Sequence, residues 1–434
     1  MFNIIKRQCI WKMSAVLIGL FFLGTSLSFA EQFSWRKFEG TTLRVMLGKS
    51  AFTKITKKQV REFEKLTGIK VMDEHFPSAP GRRKVIMELG AGNKDLDVFQ
   101  GMMKTAFQYN AAGWLEPLDK YLADPSLTSP DFDFADFYQS SHPVIDGKLI
   151  GISGSCNPQV LMYRKDLFDN YGIAVPTTWK ELEAAAKKLK QNLDKGTFAW
   201  VARMNNENSA PFSAFLHTNN ASWLGPDGKP AFNSPQAIEA LEFYGRMARE
   251  YGPPGASNIG WKEVVGAMAQ GRAAMTVEIS IFAGLVLENP KSSKVAGKLG
   301  YALVPPGIPG NYKTMLPLNM MHISALSQKK EAAWLFLQFM NGKKQSLTFK
   351  LFGMPTTRKS NWESPAWKKR DRLPELTRIQ MEGIASGKRA FEIPIAQFTE
   401  ARPVIQNLIY TAYEGGNVKQ KADQAVKEVW RIMQ

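Results

Sequence analysis

The run Gly151-Ile152-Ser153-Gly154-Ser155-Cys156 concentrates hydroxyls, a thiol and small residues in one short segment. A serine nucleophile on a strained turn requires Gly-x-Ser-x-Gly, and Ser155 stands where the last glycine belongs. A reactive thiol needs a base, yet His142, the nearest histidine in sequence, has no recognisable partner pattern. Leu47-Gly48-Lys49-Ser50 ends like a phosphate-binding loop, but that pattern demands a further upstream glycine, and Leu43 occupies the position. His75, His142, His217 and His322 are too scattered for paired metal ligation, and no His-Glu-x-x-His, Cys-x-x-Cys or EF-hand pattern is present. Asp131 and Asp133 offer the carboxylate pair a glycosidase uses, although Pro130, Phe132 and Phe134 around them read as a surface turn. No catalytic residue, metal site or cofactor is expected.

The elements that must position any site alternate between strand and helix. Thr41 to Leu47 reads as a strand with Leu43, Val45 and Leu47 on one face. Ile55, Gln59, Val60, Phe63 and Leu66 follow helical spacing, and Gly68 stops that helix. Ile69 to Met72 forms a second strand, a helix passes through Val85 to Leu89, and Asp97 to Gln100 forms a third strand. This order predicts mostly parallel pairing with helices on the sheet faces, an α/β fold. A second series follows: Thr178 and Glu181 make a capping box, and Ser234-Pro235 opens a helix that runs to Tyr251 and ends at Gly252. Ala332 to Met340 reads as a buried helix. Two α/β lobes result, with Gly151 to Ser155, Pro305-Pro306-Gly307 and Phe352-Gly353-Met354-Pro355 as punctuation between them.

The N-terminus predicts export. Lys6, Arg7 and Lys12 precede an apolar stretch from Met13 to Leu23, and Ser28-Phe29-Ala30 is the small-x-small pattern of a cleavage site. An uncleaved anchor is the alternative. Cys9 precedes the apolar stretch, where a lipid-anchor cysteine would follow it. Cleavage leaves Cys156 alone, so no intramolecular disulfide is expected, and a chain of this length can bury enough apolar surface without one. The 434-residue chain carries a formal charge of +17, three of whose basic residues lie in the leader. The remainder are dispersed, as at Lys187-Lys188, Lys343-Lys344 and Lys368-Lys369-Arg370, and read as solvated faces or as attraction to an anionic membrane surface or ligand. Export and the lack of a basic run interleaved with aromatics exclude nucleic acid as a partner.

The stretches "GTTLRVML", "FEKLTGIKV", "DLDVFQG" with "AAGWLEPLDKYL", "GKLIGISGSCNPQVLMYRKDLFDNYGIAVPTTWKEL", "FNSPQAIEALEFY", "AMAQGRAAMTV" and "SQKKEAAWLFLQFM" occur in an order that carries a resemblance. Across essentially the whole mature chain, this sequence resembles the family 1 extracellular solute-binding proteins of bacterial ABC importers, the maltose-binding-protein type. The resemblance implies a two-lobed periplasmic-binding-protein fold, type II-like, with three interlobe crossings and a ligand cleft between the lobes. It divides the chain into a signal peptide (1–30), an N-terminal lobe (31–152 and 306–353) and a C-terminal lobe (153–305 and 354–434). Gly151, Ser153 and Gly154 then form the first hinge, with further crossings near Pro305 to Pro317 and Phe352 to Thr356. The implied protein is a periplasmic monomer that closes on a sugar-like solute and delivers it to ABC permease subunits in the inner membrane.

Ligand contacts are expected where strands end. The loop after the first strand offers Ser50 and Phe52, and the loop after the third offers Gly101 and Met102. Asn157 follows the first crossing, at a position where relatives often carry a polar ligand contact. In the second lobe Asn205 and Asn208 lie in a polar loop, Trp223 follows, and Glu278 comes directly after "AMTV" to accept from solute hydroxyls. Phe52 and Trp223 have core or surface aromatics as their alternative, and the asparagine loop a simple turn. The run after "AMT" departs from the family, with Phe282 where tryptophan is common, which weakens a ring-stacking platform. Lys49, Lys54 and Arg203 raise an anionic solute, such as a sugar acid or phosphorylated polyol, as the alternative ligand. A secreted carbohydrate hydrolase is the alternative of a different class.

Overall fold

The computed structural model describes residues 32–389 and 392–434; the leader signals from Lys6 to Ala30 lie outside the described residues. The first strand, β1 (Thr42–Gly48), buries Leu43, Val45 and Leu47, the face its alternation predicts. Helix Thr53–Thr67 follows and ends at Gly68, whose φ of 72° is in the left-handed region and whose amide donates to Glu64 O. Beyond it come β2 (Lys70–Phe76), helix Ser78–Gly90 and β3 (Val98–Met102). Helical crossovers between consecutive strands make β1 parallel to both β2 and β3. A short hairpin of β4 (Val144–Ile145) and β5 (Lys148–Leu149) leads to β6 (Ile152–Cys156).

The second lobe is built on β7 (Gln159–Arg164), β8 (Phe198–Trp200), β9 (Ala273–Ile279) and β10 (Leu299–Leu303), in the order β10-β7-β9-β8. Here β8 and β9 are parallel, while β7 runs antiparallel to both its neighbours. The chain then returns to the first sheet as β11 (Leu318–Ile323), giving the order β2-β1-β3-β11-β6 with β11 antiparallel to β3 and β6.

Helix signals of the second series hold in detail. Thr178 Oγ1 accepts from the Glu181 amide at 3.3 Å, and the Glu181 carboxylate reaches back to the Thr177 amide at 2.7 Å. Ser234 Oγ accepts from the Ala237 amide at the start of helix Pro235–Tyr251. This helix packs with the C-terminal helices Phe398–Glu414 and Val418–Met433 into the second-lobe core. In the first lobe, helix Lys330–Met340 buries every residue from Ala332 to Met340, with Phe336 edge-on to Phe63 at 5.1 Å.

Two crossings differ from expectation. Gly151, Ser153 and Gly154 do not form a free connection: residues 152–156 are a strand of the first sheet, bonded to β11. Ser153 is 2% exposed, its Oγ is 3.2 Å from both Ser155 O and Asn319 O, and its carbonyl accepts from Thr357 Oγ1 at 2.5 Å. A Cβ at Gly154 would lie 2.7 Å from Asn341 Oδ1, so small size serves close packing there. The passage between sheets falls just downstream, at Asn157-Pro158. The third passage also comes later than Phe352 to Thr356. The Pro355 carbonyl accepts from the Cys156 amide, Thr357 O accepts from the Tyr138 amide, and buried Arg358 donates to Phe132 O and Asp136. Helix Pro374–Ser386 packs on both lobes, through Leu376 and Ile379 on the second and Ile384 on the first.

Candidate functional site

Strands β1, β2 and β3 run in the same direction, so Gly48, Phe76 and Met102 end along one edge of the first sheet. The crevice outside carboxyl ends is where open α/β sheets bind ligands. A cavity of about 210 Å³ opens there, reaching from Lys49 and Ser50 past Arg82 to Gln100, Thr105 and Asn319. A smaller space of about 80 Å³ adjoins it, sharing Gly48, Ser50, Gln100 and Asn319 and extending to Phe52, Gly154 and Asn341.

Two contacts shape the cavity floor. Gln100 Oε1 accepts from the Gly48 amide at 2.7 Å, tying the end of β1 to β3. Beneath Gly101 lies the fully buried His322 ring, tilted against Phe99 at 5.3 Å, and a Cβ at Gly101 would sit 2.8 Å from its Nε2. His322 Nδ1 is 2.6 Å from Ile150 O, so the neutral ring carries its proton on Nδ1 and turns the Nε2 lone pair toward Gly101. Burial pushes this imidazole down to about 4, despite the bond to Ile150 that favours the charged form.

The expected first-lobe residues come together. Ser50, Gly101 and Met102 line the larger cavity, and Ser50 and Phe52 the smaller. Ser50 Oγ also accepts from the Phe52 amide at 3.1 Å, and Phe52, 6% exposed, packs edge-on to Phe349. Asn157 is buried at the interlobe passage, and its Oδ1 has no hydrogen-bond partner. Sequence reasoning assigned nothing to Arg82, Lys104, Thr105 or Asn319. The available signal for Asn319 was a polar residue inside the apolar strand β11.

The second-lobe residues are less uniform. Asn205 and Asn208 follow the carboxyl end of β8, and Glu278 is the penultimate residue of β9, opposite Val160 of β7. Asn205 Oδ1 accepts from the Glu207 amide at 2.9 Å, the self-bonded turn that was its alternative reading. Asn208 Nδ2 donates to Gln406 O, while its buried Oδ1 has no partner. Trp223 is not a cleft residue: it is 1% exposed, wedged between Phe212 and Phe232, with Nε1 donating to Ser213 Oγ at 3.0 Å. Phe282 stacks on Trp261 at 5.1 Å with an interplanar angle of 3°. Glu278 is also not an open ligand contact. It is 1% exposed and grips Arg203 through both oxygens, at 2.6 and 2.5 Å, while accepting from the Ile279 amide. Burial alone would depress Arg203, but the adjoining Glu278 offsets this and holds the guanidinium above its usual value.

Among the described residues, no Asp or Glu lines either cavity. Asp131 and Asp133 lie at a surface turn, with Asp133 paired to Lys343 at 2.9 Å. Among the described residues, no group of three or more metal-ligating side chains converges, and no helix is long and apolar enough to cross a membrane.

Comparison with known families decides what this cleft belongs to. The model of the bacterial extracellular solute-binding protein family matches residues 47–346. The chain belongs to that family. This solute-binding protein is 26% identical to the erythritol/L-threitol-binding protein of Mycolicibacterium smegmatis, over 72% of its own length and 69% of the relative's. Its fold superposes on a solute-binding protein of Agrobacterium radiobacter K84 in complex with ribitol, with a TM-score of 0.77, 26% identity, and coverage of 91% of this chain and 99% of that one. A solute-binding protein of Agrobacterium vitis S4 with bound D-mannitol matches at a TM-score of 0.73 and 27% identity, over 91% and 98% of the two chains. These relatives are two-lobed ABC-transporter binding proteins, as the resemblance implied.

Proposed function

We propose that this solute-binding protein captures a small acyclic polyol, or a sugar of similar size, between its lobes and delivers it to the permease of an ABC importer. In this reading it works in the periplasm as a monomer after leader removal. The first lobe comprises strands β1 to β6 with β11, and the second β7 to β10 with the two C-terminal helices. The observation that carries the reading is the cavity at the ends of β1 and β3. Its volume is about 210 Å³ and its lining comes from the first lobe, so it seats one side of a small solute at the strand ends. Backbone amides and the side chains of Ser50, Gln100, Thr105 and Asn319 supply hydrogen bonds for hydroxyls. The aromatics expected to stack on a sugar ring are occupied in packing, and an acyclic polyol has no ring face to stack. The ligands named for the erythritol/L-threitol, ribitol and D-mannitol relatives support the same class.

One observation favours the anionic alternative: Lys49, Arg82 and Lys104 all line the cavity. A hydrolase is disfavoured, since glycosidases need two carboxylates flanking the bond and none of the described lining residues is Asp or Glu. Calorimetric titration of the purified mature chain with erythritol, ribitol, mannitol, maltose and ribonate tests the reading. An alditol is expected to bind near the micromolar range, about −8 kcal/mol, with a smaller radius of gyration and chemically unchanged solute. Preference for ribonate establishes the anionic alternative; binding of maltose alone, or recovery of cleaved solute, overturns the proposal.

A further inference from the structure

The larger and the smaller cavity meet along Gly48, Ser50, Gln100 and Asn319, which line both. Two of these side chains have already committed an acceptor. Gln100 Oε1 accepts from the Gly48 amide at 2.7 Å, and Ser50 Oγ accepts from the Phe52 amide at 3.1 Å. The charged side chains of the lining, Lys49, Arg82 and Lys104, only donate. Asn319 differs from all of them. Its Nδ2 donates to Ser155 Oγ at 3.4 Å, and among the described residues nothing donates to its Oδ1. That oxygen is not buried, and the residue as a whole is half-buried, so a solute in the cavity can reach it.

An irregularity of the sheet puts Asn319 there. On one side it pairs with Met102, the last residue of β3, which sets it at the strand-end crevice. On the other side it faces Ser155, while the next residue, Met320, faces Ser153, so Gly154 is an extra residue in β6. A bulge of this kind bends its strand and re-aims side chains. Leu318 and Met320 flank Asn319 and are 0% and 1% exposed in the core, whereas Asn319 lines both cavities. Ser153 Oγ, 3.2 Å from both Ser155 O and Asn319 O, clamps the bulge, and the bare Gly154 leaves room for Asn341 Oδ1.

We propose that Asn319 is the specificity-determining residue of the first-lobe cavity: its Oδ1 accepts from a solute hydroxyl and so selects a neutral alditol over the matching carboxylate. Lys49, Arg82 and Lys104 donate to hydroxyl and carboxylate oxygens alike, so they do not reject an anion. An amide oxygen at the junction of the two cavities does. It accepts from an O–H, but a carboxylate has no hydrogen to offer and meets it lone pair against lone pair. With Nδ2 held by Ser155 Oγ, Oδ1 is the end left for the solute. Asn319 touches the solute itself; the bulge at Gly154 positions it. This inference rests on the polyol reading above.

The test titrates the full mature chain with ribitol and with ribonate, for the wild type, Asn319→Leu and Asn319→Asp. Leucine keeps the size and offers no acceptor; aspartate keeps the acceptor and adds a charge. Asn319→Leu is expected to weaken ribitol at least 10-fold without weakening ribonate, because the solute hydroxyl loses its acceptor. Asn319→Asp is expected to hold ribitol within 3-fold of the wild type and to bind ribonate no better than the wild type does. Melting of the unliganded variants separates folding from binding, and the aspartate variant stays informative where leucine disturbs the bulge. Wild-type ribitol affinity in Asn319→Leu, an equal loss of both solutes, or a ribitol loss in Asn319→Asp as large as in Asn319→Leu overturns the role of Asn319 while leaving the polyol reading in place. A wild type that prefers ribonate, or binds neither solute, removes both.

Discussion

Replacing Glu278 with alanine separates a structural carboxylate from a ligand contact. A residue that only accepts from solute hydroxyls would, on removal, weaken binding and leave the unliganded fold intact. Glu278 instead neutralises Arg203 through two short bonds in a site where both side chains are less than a tenth exposed. Alanine would leave the guanidinium buried with the Glu207 carboxylate no closer than 3.8 Å. Removing one partner of a buried ion pair costs about 3–5 kcal/mol. For a lobe of this size each kcal/mol shifts melting by roughly 2–4 °C, so Glu278→Ala should lower the unliganded Tm by about 6–20 °C. Differential scanning calorimetry without solute reads this directly. Replacing both partners, as Arg203→Met with Glu278→Leu, should recover most of the loss, because well-packed apolar residues often substitute for a buried pair at little cost. An unliganded Tm within 2 °C of the wild type, together with a large loss of affinity, would refute this reasoning and return Glu278 to the ligand.

Three further outcomes follow from the cleft floor and the core. Gly101→Ala should cost about 1–3 kcal/mol and weaken solute binding, because its methyl meets the immobile His322 ring; thermal melting and titration check both. His322 is held neutral with its pKa depressed to about 4, so the unfolded chain takes up the proton first as pH falls. Its contribution to stability is complete above about 6.5 and declines toward pH 4 by up to about 1.4 kcal/mol per unit. Because His142 is also depressed, the slope is read as the difference between the wild type and His322→Gln in urea unfolding. Cys156 is fully buried and burial raises its thiol pKa, so iodoacetamide should label it only at the rate of unfolding; rapid labelling of the native protein would contradict its placement.

Local patterns determined much of this protein. Alternation at Leu43, Val45 and Leu47, helical spacing from Ile55 to Leu66 with Gly68 behind it, and the caps at Thr178 and Ser234 depend on neighbours a few residues away. So do the strand ends after Gly48 and Met102, which is why Ser50, Gly101 and Met102 were found at the cavity from sequence. What the tertiary structure alone decided is which polar group faces which. Glu278 read as a carboxylate at a strand end, and its partner Arg203 lies 75 positions away. Trp223 had the same composition-level signal as a stacking platform, but contacts with Phe212 and Phe232 took it into the core. The resemblance makes Gly151, Ser153 and Gly154 the first hinge, yet β11, arriving from far along the chain, bonds residues 152–156 into a sheet. His322 beneath Gly101 and the bulge beside Asn319 left no motif at all. The physical reason is the same throughout: periodicity records which face of an element is buried, whereas the cost of burying a charge or a ring is settled by the groups that the fold brings against it.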